Sequence, residues 1–134
     1  MQLSPRKTIE EFFHRIGSAT SVDEIAELVS EDVDWFVAGD ISVVPWIGRK
    51  IGKSAVAEFY AQLRTEITSE QFELKDILAL GSRVVAIGEL ASRVNKTGKL
   101  IETEFVFDFI VEDGLIKRFR LFEDSFAVAQ AVLA

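Results

Sequence analysis

VDWFVAGDISVVPWIGRKIGKSAVAEFYAQL, Val33 to Leu63, is the stretch whose reading decides the fold. Val33, Trp35 and Val37 alternate with more polar neighbours, so Val33 to Ala38 reads as a strand with one apolar face. Gly39 to Gly52 carries Pro45 and three glycines, a composition that favours turns, and is read as loop. From Ser54 to Ile67 the apolar spacing changes to that of a helix, with Val56, Phe59, Tyr60, Leu63 and Ile67 on one stripe. An aromatic strand, a Pro-Trp-Ile-Gly turn and an amphipathic helix thus follow one another within about thirty residues.

Upstream, Ser4-Pro5 supplies a capping hydroxyl and a first-turn proline. Ile9, Phe12, Phe13 and Ile16 then share a helical face, and Gly17 ends the helix. Ser21 to Glu24 has the form of a capping box, with Ile25 and Leu28 as the apolar side of a short second helix. Downstream, Phe72 to Leu80 alternates as Phe72, Leu74, Asp76, Leu78 and Leu80. Arg83 to Val94, Leu100 to Glu112 and Leu115 to Glu123 follow as strands, and Ser125 to Leu133 reads as a terminal helix capped by Asp124 or Ser125. Helices first, one helix mid-chain and then four consecutive strands describe an α+β domain. A curved antiparallel sheet wraps as a cone around the N-terminal helices and one long helix, with an apolar mouth suited to a small molecule. Residues 1–134 are expected to form one such domain, a size at which roughly two thirds of the unfolded surface can be buried.

The Asp113-Gly114 hairpin decides what faces the interior, and two registers are open. A two-residue turn places Asp108 beside Phe119 on the pocket side. A three-residue turn with a bulge reverses every face. Phe105, Phe107, Phe109, Phe119 and Leu121 then share one apolar face, and Asp108 joins Arg118 and Arg120 on the other. The second separates charge from hydrocarbon more cleanly and is the one expected.

Charge and composition exclude several functions. A formal net charge of −7 opposes binding to phosphate backbones or anionic membranes. There is no Cys, so disulfide and thiol chemistry are absent, and one His leaves no basis for a metal site. No cofactor is implied. The N-terminal residues lack an apolar signal region, and the expected compartment is the cytoplasm. Eleven Phe against one Tyr place much ring area where no polar atom is needed: a core, a dry pocket or an interface.

Val33-Asp34-Trp35, the loop Val44-Pro45-Trp46-Ile47-Gly48-Arg49, Gly52, the Ala55-to-Phe59 helix, Asp113-Gly114-Leu115-Ile116 and Phe122-Glu123-Asp124 resemble the SnoaL-like, ketosteroid-isomerase-like proteins of the nuclear transport factor 2-like superfamily. The resemblance implies a cystatin-like α+β cone, often dimeric through its sheets. It also implies a pocket that serves isomerases, polyketide-type cyclases, epoxide hydrolases, dehydratases and non-catalytic members. Fold alone names no activity. The acid/base set of ketosteroid isomerases does not carry over intact. Phe12 stands at the tyrosine position, Phe36 falls at or beside the general base, Asp34 and Asp40 lie nearby, and Asp108 matches the third acid. The Asp-Arg-Asp set of limonene-type epoxide hydrolases falls on Gly88, Leu90 and Leu121, which cannot perform that chemistry.

Glu123 is the leading candidate for acid/base chemistry, because it falls on the Phe119/Leu121 face, where rings would desolvate its carboxylate. Asp108 is the runner-up and Asp124 is explained by capping. Candidate ligand walls are Phe12, Trp35, Trp46, Phe59, Tyr60 and Leu63 from the first half of the chain. Leu90, Phe105, Phe107, Phe119 and Leu121 complete them from the strands. His14 points away from its helix's apolar stripe. Gly48 to Ser54 imitates a phosphate loop with one residue too few between its glycines, although Arg49, Lys50 and Lys53 could attract an anion. The expected partners are a small apolar molecule and a second copy of the chain. The copy would dock on the outer sheet face through Ile87, Glu89, Arg93, Glu104, Asp108, Arg118 and Arg120.

Overall fold

The computed structural model describes residues 3–18 and 20–134. Four helices and six strands follow the order α1 (Pro5–Gly17), α2 (Val22–Ala26), β1 (Val29–Val37), β2 (Gly48–Ile51), α3 (Lys53–Glu66), β3 (Ile67–Leu80), β4 (Arg83–Val94), β5 (Leu100–Glu112), β6 (Leu115–Glu123) and α4 (Ser125–Val132). The helix starts follow from short polar side chains that accept otherwise unpaired amides. Ser4 accepts from the Lys7 amide at 3.2 Å, Ser21 from Glu24 at 3.3 Å, and Asp124 from Ala127 at 3.0 Å. Among the described residues no helix is long and apolar enough to cross a membrane.

One curved, open sheet has the strand order β2-β1-β6-β5-β4-β3. β3 to β6 form the expected antiparallel meander, but β1 runs parallel to β6, so the sheet is mixed rather than antiparallel. The segment read as loop contains the short strand β2, which pairs with β1 through Asp34–Ile51 to Val37–Gly48.

Three bulges set the faces, one at Lys117 of β6 and two in β3, at Lys75 and Glu70. The Asp113-Gly114 turn has two residues, with φ of 56° and 72°, as a type I′ hairpin needs. Glu112 therefore pairs with Leu115 and Val111 with Ile116, which is the register not preferred from the sequence. One step on, Ile110 pairs with Arg118 and leaves Lys117 as an extra residue. That bulge restores the expected faces by another route: Phe107 meets Leu121 and Phe109 meets Phe119 inside, while Asp108 meets Arg120 outside. A second bulge at Lys75 breaks the alternation expected for β3. Phe72 and Leu74 face inward, but inward positions then pass to Ile77 and Ala79. Leu78 and Leu80 turn outward and are 58% and 85% exposed.

The core sits between α1, α3 and the inner sheet face. Phe12 is fully buried and meets the rings of Phe13, Trp35, Tyr60, Phe109 and Phe119 at centroid distances of 5.3 to 6.5 Å, each edge-on. Burying a ring of this size contributes roughly 2–3 kcal/mol relative to exposure. On the outer face Arg120 donates to the Asp34 carboxylate at 2.8 Å and to its backbone carbonyl at 3.0 Å. Arg49 pairs with the other Asp34 oxygen, so β2, β1 and β6 are tied through one side chain. The two guanidiniums lie 5.2 and 5.6 Å from the Phe36 ring centroid.

Candidate functional site

Beyond the interlocked rings around Phe12, the interior opens into a cavity of about 540 Å³. α1 contributes Phe13, Ile16 and Gly17, and β1 with its following loop contributes Val37 and Trp46. α3 supplies Phe59, Tyr60, Leu63 and Arg64 and runs directly into β3, which adds Ile67, Ser69 and Phe72. Leu90 and Ser92 of β4 and Ile101 and Phe107 of β5 form the floor. Phe119, Leu121 and Glu123 of β6, with Val128 of α4, close the remaining side. The wall is chiefly hydrocarbon with a few polar groups, the usual make-up of a small-molecule site.

Alternation along β6 carries Glu123 into this wall: Phe119, Leu121 and Glu123 point inward together, and Glu123 stands opposite Phe105. Its carboxyl is removed from water by apolar neighbours, and desolvation alone pushes its pKa up from the usual 4.5 to about 7. Such a carboxyl exchanges protons near neutral pH, which general acid or base chemistry requires. Tyr60, buried on α3, has its phenol raised by desolvation, against the pull of the nearby Arg64 charge.

Eight of the candidate ligand walls line the cavity: Trp46, Phe59, Tyr60, Leu63, Leu90, Phe107, Phe119 and Leu121. Phe12, Trp35 and Phe105 do not, each for a packing reason. Phe12 is the hub of the aromatic core. Trp35 lies face to face with Phe119 and is covered by it, its indole N–H buried without a partner among the described residues. Phe105 lies over Gly88, where a Cβ would stand 2.7 Å from its ring, and stacks on Phe72 at 5.1 Å. Asp108 is on the outer face with Arg83 at 3.2 Å and Arg118 at 3.5 Å, so it is excluded from the cavity.

Asp34 is also on the outer face, its carboxylate held below the usual range chiefly by the hydrogen bond from Arg120. Asp40 caps a turn by accepting from the Ser42 amide and hydroxyl, which lowers its pKa. His14 is exposed, as expected. Of the basic loop residues, Arg49 pairs with Asp34 and Lys53 with Glu31 at 3.7 Å. A second depression of about 530 Å³, lined by Glu89, Glu102, Glu104 and Asp124 among others, is polar and more open to solvent. No group of three or more metal-ligating side chains is gathered among the described residues.

The cavity residues missed from the sequence are chiefly Phe13 and Ile16, read only as part of the first helix's apolar face, and Arg64, Ser69, Phe72 and Ser92. The last four lie where α3 passes into β3 and where β3 meets β4. Only the Ser69–Ser92 pairing brings them together.

The SnoaL-like domain family model matches residues 9–119, most of the chain. No curated protein matches. Among solved structures, an NTF2-like protein from Burkholderia xenovorans LB400 superposes with a TM-score of 0.87 at 23% identity, covering 96% of this chain and 95% of that one. A protein described as a SnoaL-like polyketide cyclase, from Jannaschia sp. CCS1, gives 0.77 at 16% identity over 96% and 90%. A protein with a ketosteroid isomerase-like fold from Catenulispora acidiphila DSM 44928, in complex with trimethylamine, gives 0.76 at 10% over 98% and 96%. At these identities the likeness is one of fold. The fold, the cavity between sheet and helices and the match across residues 9–119 agree: the chain belongs to the SnoaL-like domain family.

Proposed function

We propose that this single domain binds a small, largely apolar molecule in the cavity and acts on it by cofactor-independent acid/base catalysis through Glu123. The observation that carries this reading is a lone carboxyl set into a hydrocarbon wall, with a pKa near 7 and desolvation as its sole cause. A carboxyl so placed can take a proton from an activated carbon or give one to a carbonyl oxygen of an isomerase-, cyclase- or hydrolase-type substrate. The polyketide cyclase description of one structural neighbour and the bound small molecule of another are consistent with a cavity put to such use.

Sterol-like, terpenoid and polyketide-like compounds, screened for a rise in melting temperature, test the binding. Each binder is then incubated with wild type and Glu123→Gln. Loss of turnover in a folded Gln variant supports catalysis, and equal turnover removes Glu123 from it. Binding without turnover in either protein leaves a non-catalytic carrier. One observation favours that second reading: Phe12, at the tyrosine position of the isomerase set, is wholly packed and offers no donor.

The outer sheet face supports a homodimer. Val85, Ile87, Val106 and Ile110 are only half-buried in the monomer, and Leu78 is exposed beside them. The ion pairs of Asp108 with Arg83 and Arg118 would lie at the centre of such a contact.

A further inference from the structure

At the end of the cavity where α3 becomes β3, hydrogen-bond donors gather without an acid. Ser92 is 5% exposed, and its hydroxyl, on the cavity wall, has no hydrogen-bond partner among the described residues. Ser69 stands directly across from it on β3 and lines the same wall. Arg64, five residues before Ser69, also lines the cavity. It donates one guanidinium N–H to the Thr20 carbonyl at 2.6 Å, and no carboxylate pairs with it among the described residues. Tyr60 lies one helical turn before Arg64, 7% exposed, with its hydroxyl likewise unpartnered among the described residues. Arg64 and Ser69 are exposed whereas Ser92 and Tyr60 are buried, so in a chain of net charge −7 this cation beside three hydroxyls offers donors to negative charge at a water-accessible end of the cavity.

Glu123 is at the far side. Ser92 pairs with Ile101 of β5, and Glu123 pairs with Phe105 of the same strand. Four residues of β5 therefore separate the two levels, roughly 13 Å along the strand. The Phe72 and Leu90 side chains lie between them on the cavity wall.

We infer that the cavity takes an elongated apolar carboxylate, its anionic end held by Arg64, Ser69, Ser92 and Tyr60 and its apolar body reaching toward Glu123. This names the substrate class for the proposed site and rests on the cavity's being a binding site. Two like charges are then kept apart: the ligand's carboxylate is met by donors at one end, and its reactive carbon is presented to the enzyme's carboxyl at the other. A neutral analogue of the same shape leaves the guanidinium and the two buried hydroxyls, of Ser92 and Tyr60, without their acceptor, which is where discrimination arises.

The test uses 1-pyrenebutanoate and its methyl ester as fluorescent probes, titrated at pH 7.5 into the wild-type chain and into Arg64→Gln, Arg64→Lys and Ser69→Ala/Ser92→Ala. The expected result is at least tenfold tighter binding of the acid than of the ester by wild type. Arg64→Gln should bring the acid to the ester's affinity and leave the ester unchanged. Arg64→Lys should recover part of the preference, and the double alanine variant should lose three- to tenfold for the acid alone. Equal wild-type affinities, or an Arg64→Gln loss shared equally by acid and ester, would overturn the inference while leaving an apolar binding cavity in place. If neither probe binds wild type, the cavity reading and this inference fall together.

Discussion

Phe119 lies flat against Trp35 across the parallel β1–β6 pair, their centroids 3.6 Å apart and their planes 4° from parallel. One face of the Phe119 ring seals Trp35 into solid core, and the residue also lines the cavity. It therefore marks the boundary between packed interior and hollow. Phe119→Ala should lose about 3–5 kcal/mol of unfolding free energy in urea, the usual range for a buried ring. Trp35 emission should shift to the red as its indole gains access to the cavity. An unchanged emission maximum would show that Phe119 is not the partition.

Gly88 carries a different constraint. A Cβ there would stand 2.0 Å from the Glu73 carbonyl oxygen and 2.7 Å from the Phe105 ring, and backbone cannot yield as a side chain can. Gly88→Ala should therefore destabilise by about 1–3 kcal/mol, as overpacking does. Adding Phe105→Leu removes only the ring clash and should not restore the lost stability. Full recovery in the double variant would place the constraint in Phe105 alone.

Glu123 gives stability a pH dependence whose sign is fixed. Its folded pKa, about 7, lies above the ordinary value of 4.5, so between these limits the native chain keeps a proton that the unfolded chain has released. The stability tied to this group is complete below pH 4.5 and lost as pH rises through about 7. At about 1.4 kcal/mol per tenfold change in proton affinity, the loss is at most ~3 kcal/mol. Glu123→Gln should match wild type near pH 4.5 and exceed it at pH 8, measured by urea unfolding at both pH values. A constant difference between the two proteins would contradict the desolvated carboxyl.

On the outer face, Val85 stands between Leu78 of β3 and Asp108 of β5. If this face joins two copies, light scattering should report a dimer at micromolar concentration, and Val85→Lys should give a folded monomer. Asp108→Asn should leave cavity binding unchanged, because the side chain is on the other side of the sheet. A wild-type monomer would remove the proposed dimer.

Much of this architecture is legible because local signals and apolar alternation agree. Ser4-Pro5, Ser21 and Asp124 announce helix starts through their own side chains, and Phe119, Leu121 and Glu123 keep one face by simple alternation. What stays hidden depends on a partner strand. The Lys75 and Lys117 bulges are invisible in either segment alone, since an extra residue is defined only against its opposite strand. At Lys117 the bulge yields the expected faces from the unexpected turn, so Asp108 goes outward although the turn itself has two residues. β1 shows the same alternation whichever way its neighbour runs, so its parallel pairing with β6 leaves no local trace. Phe105 reads as cavity wall until Gly88 is seen beneath it. Ser69 and Ser92, twenty-three residues apart in sequence, become a pair only through the β3–β4 register.

The central claim is that space for a guest exists between Phe72, Leu63 and Leu121. It is tested most directly by crystallographic density for the purified protein in that region. The expected result is an open volume of about 540 Å³, or a small apolar guest within it, with Glu123 on its wall. Density showing Phe13, Phe72 and Phe107 closed across the space, with no room for a molecule, would contradict the account.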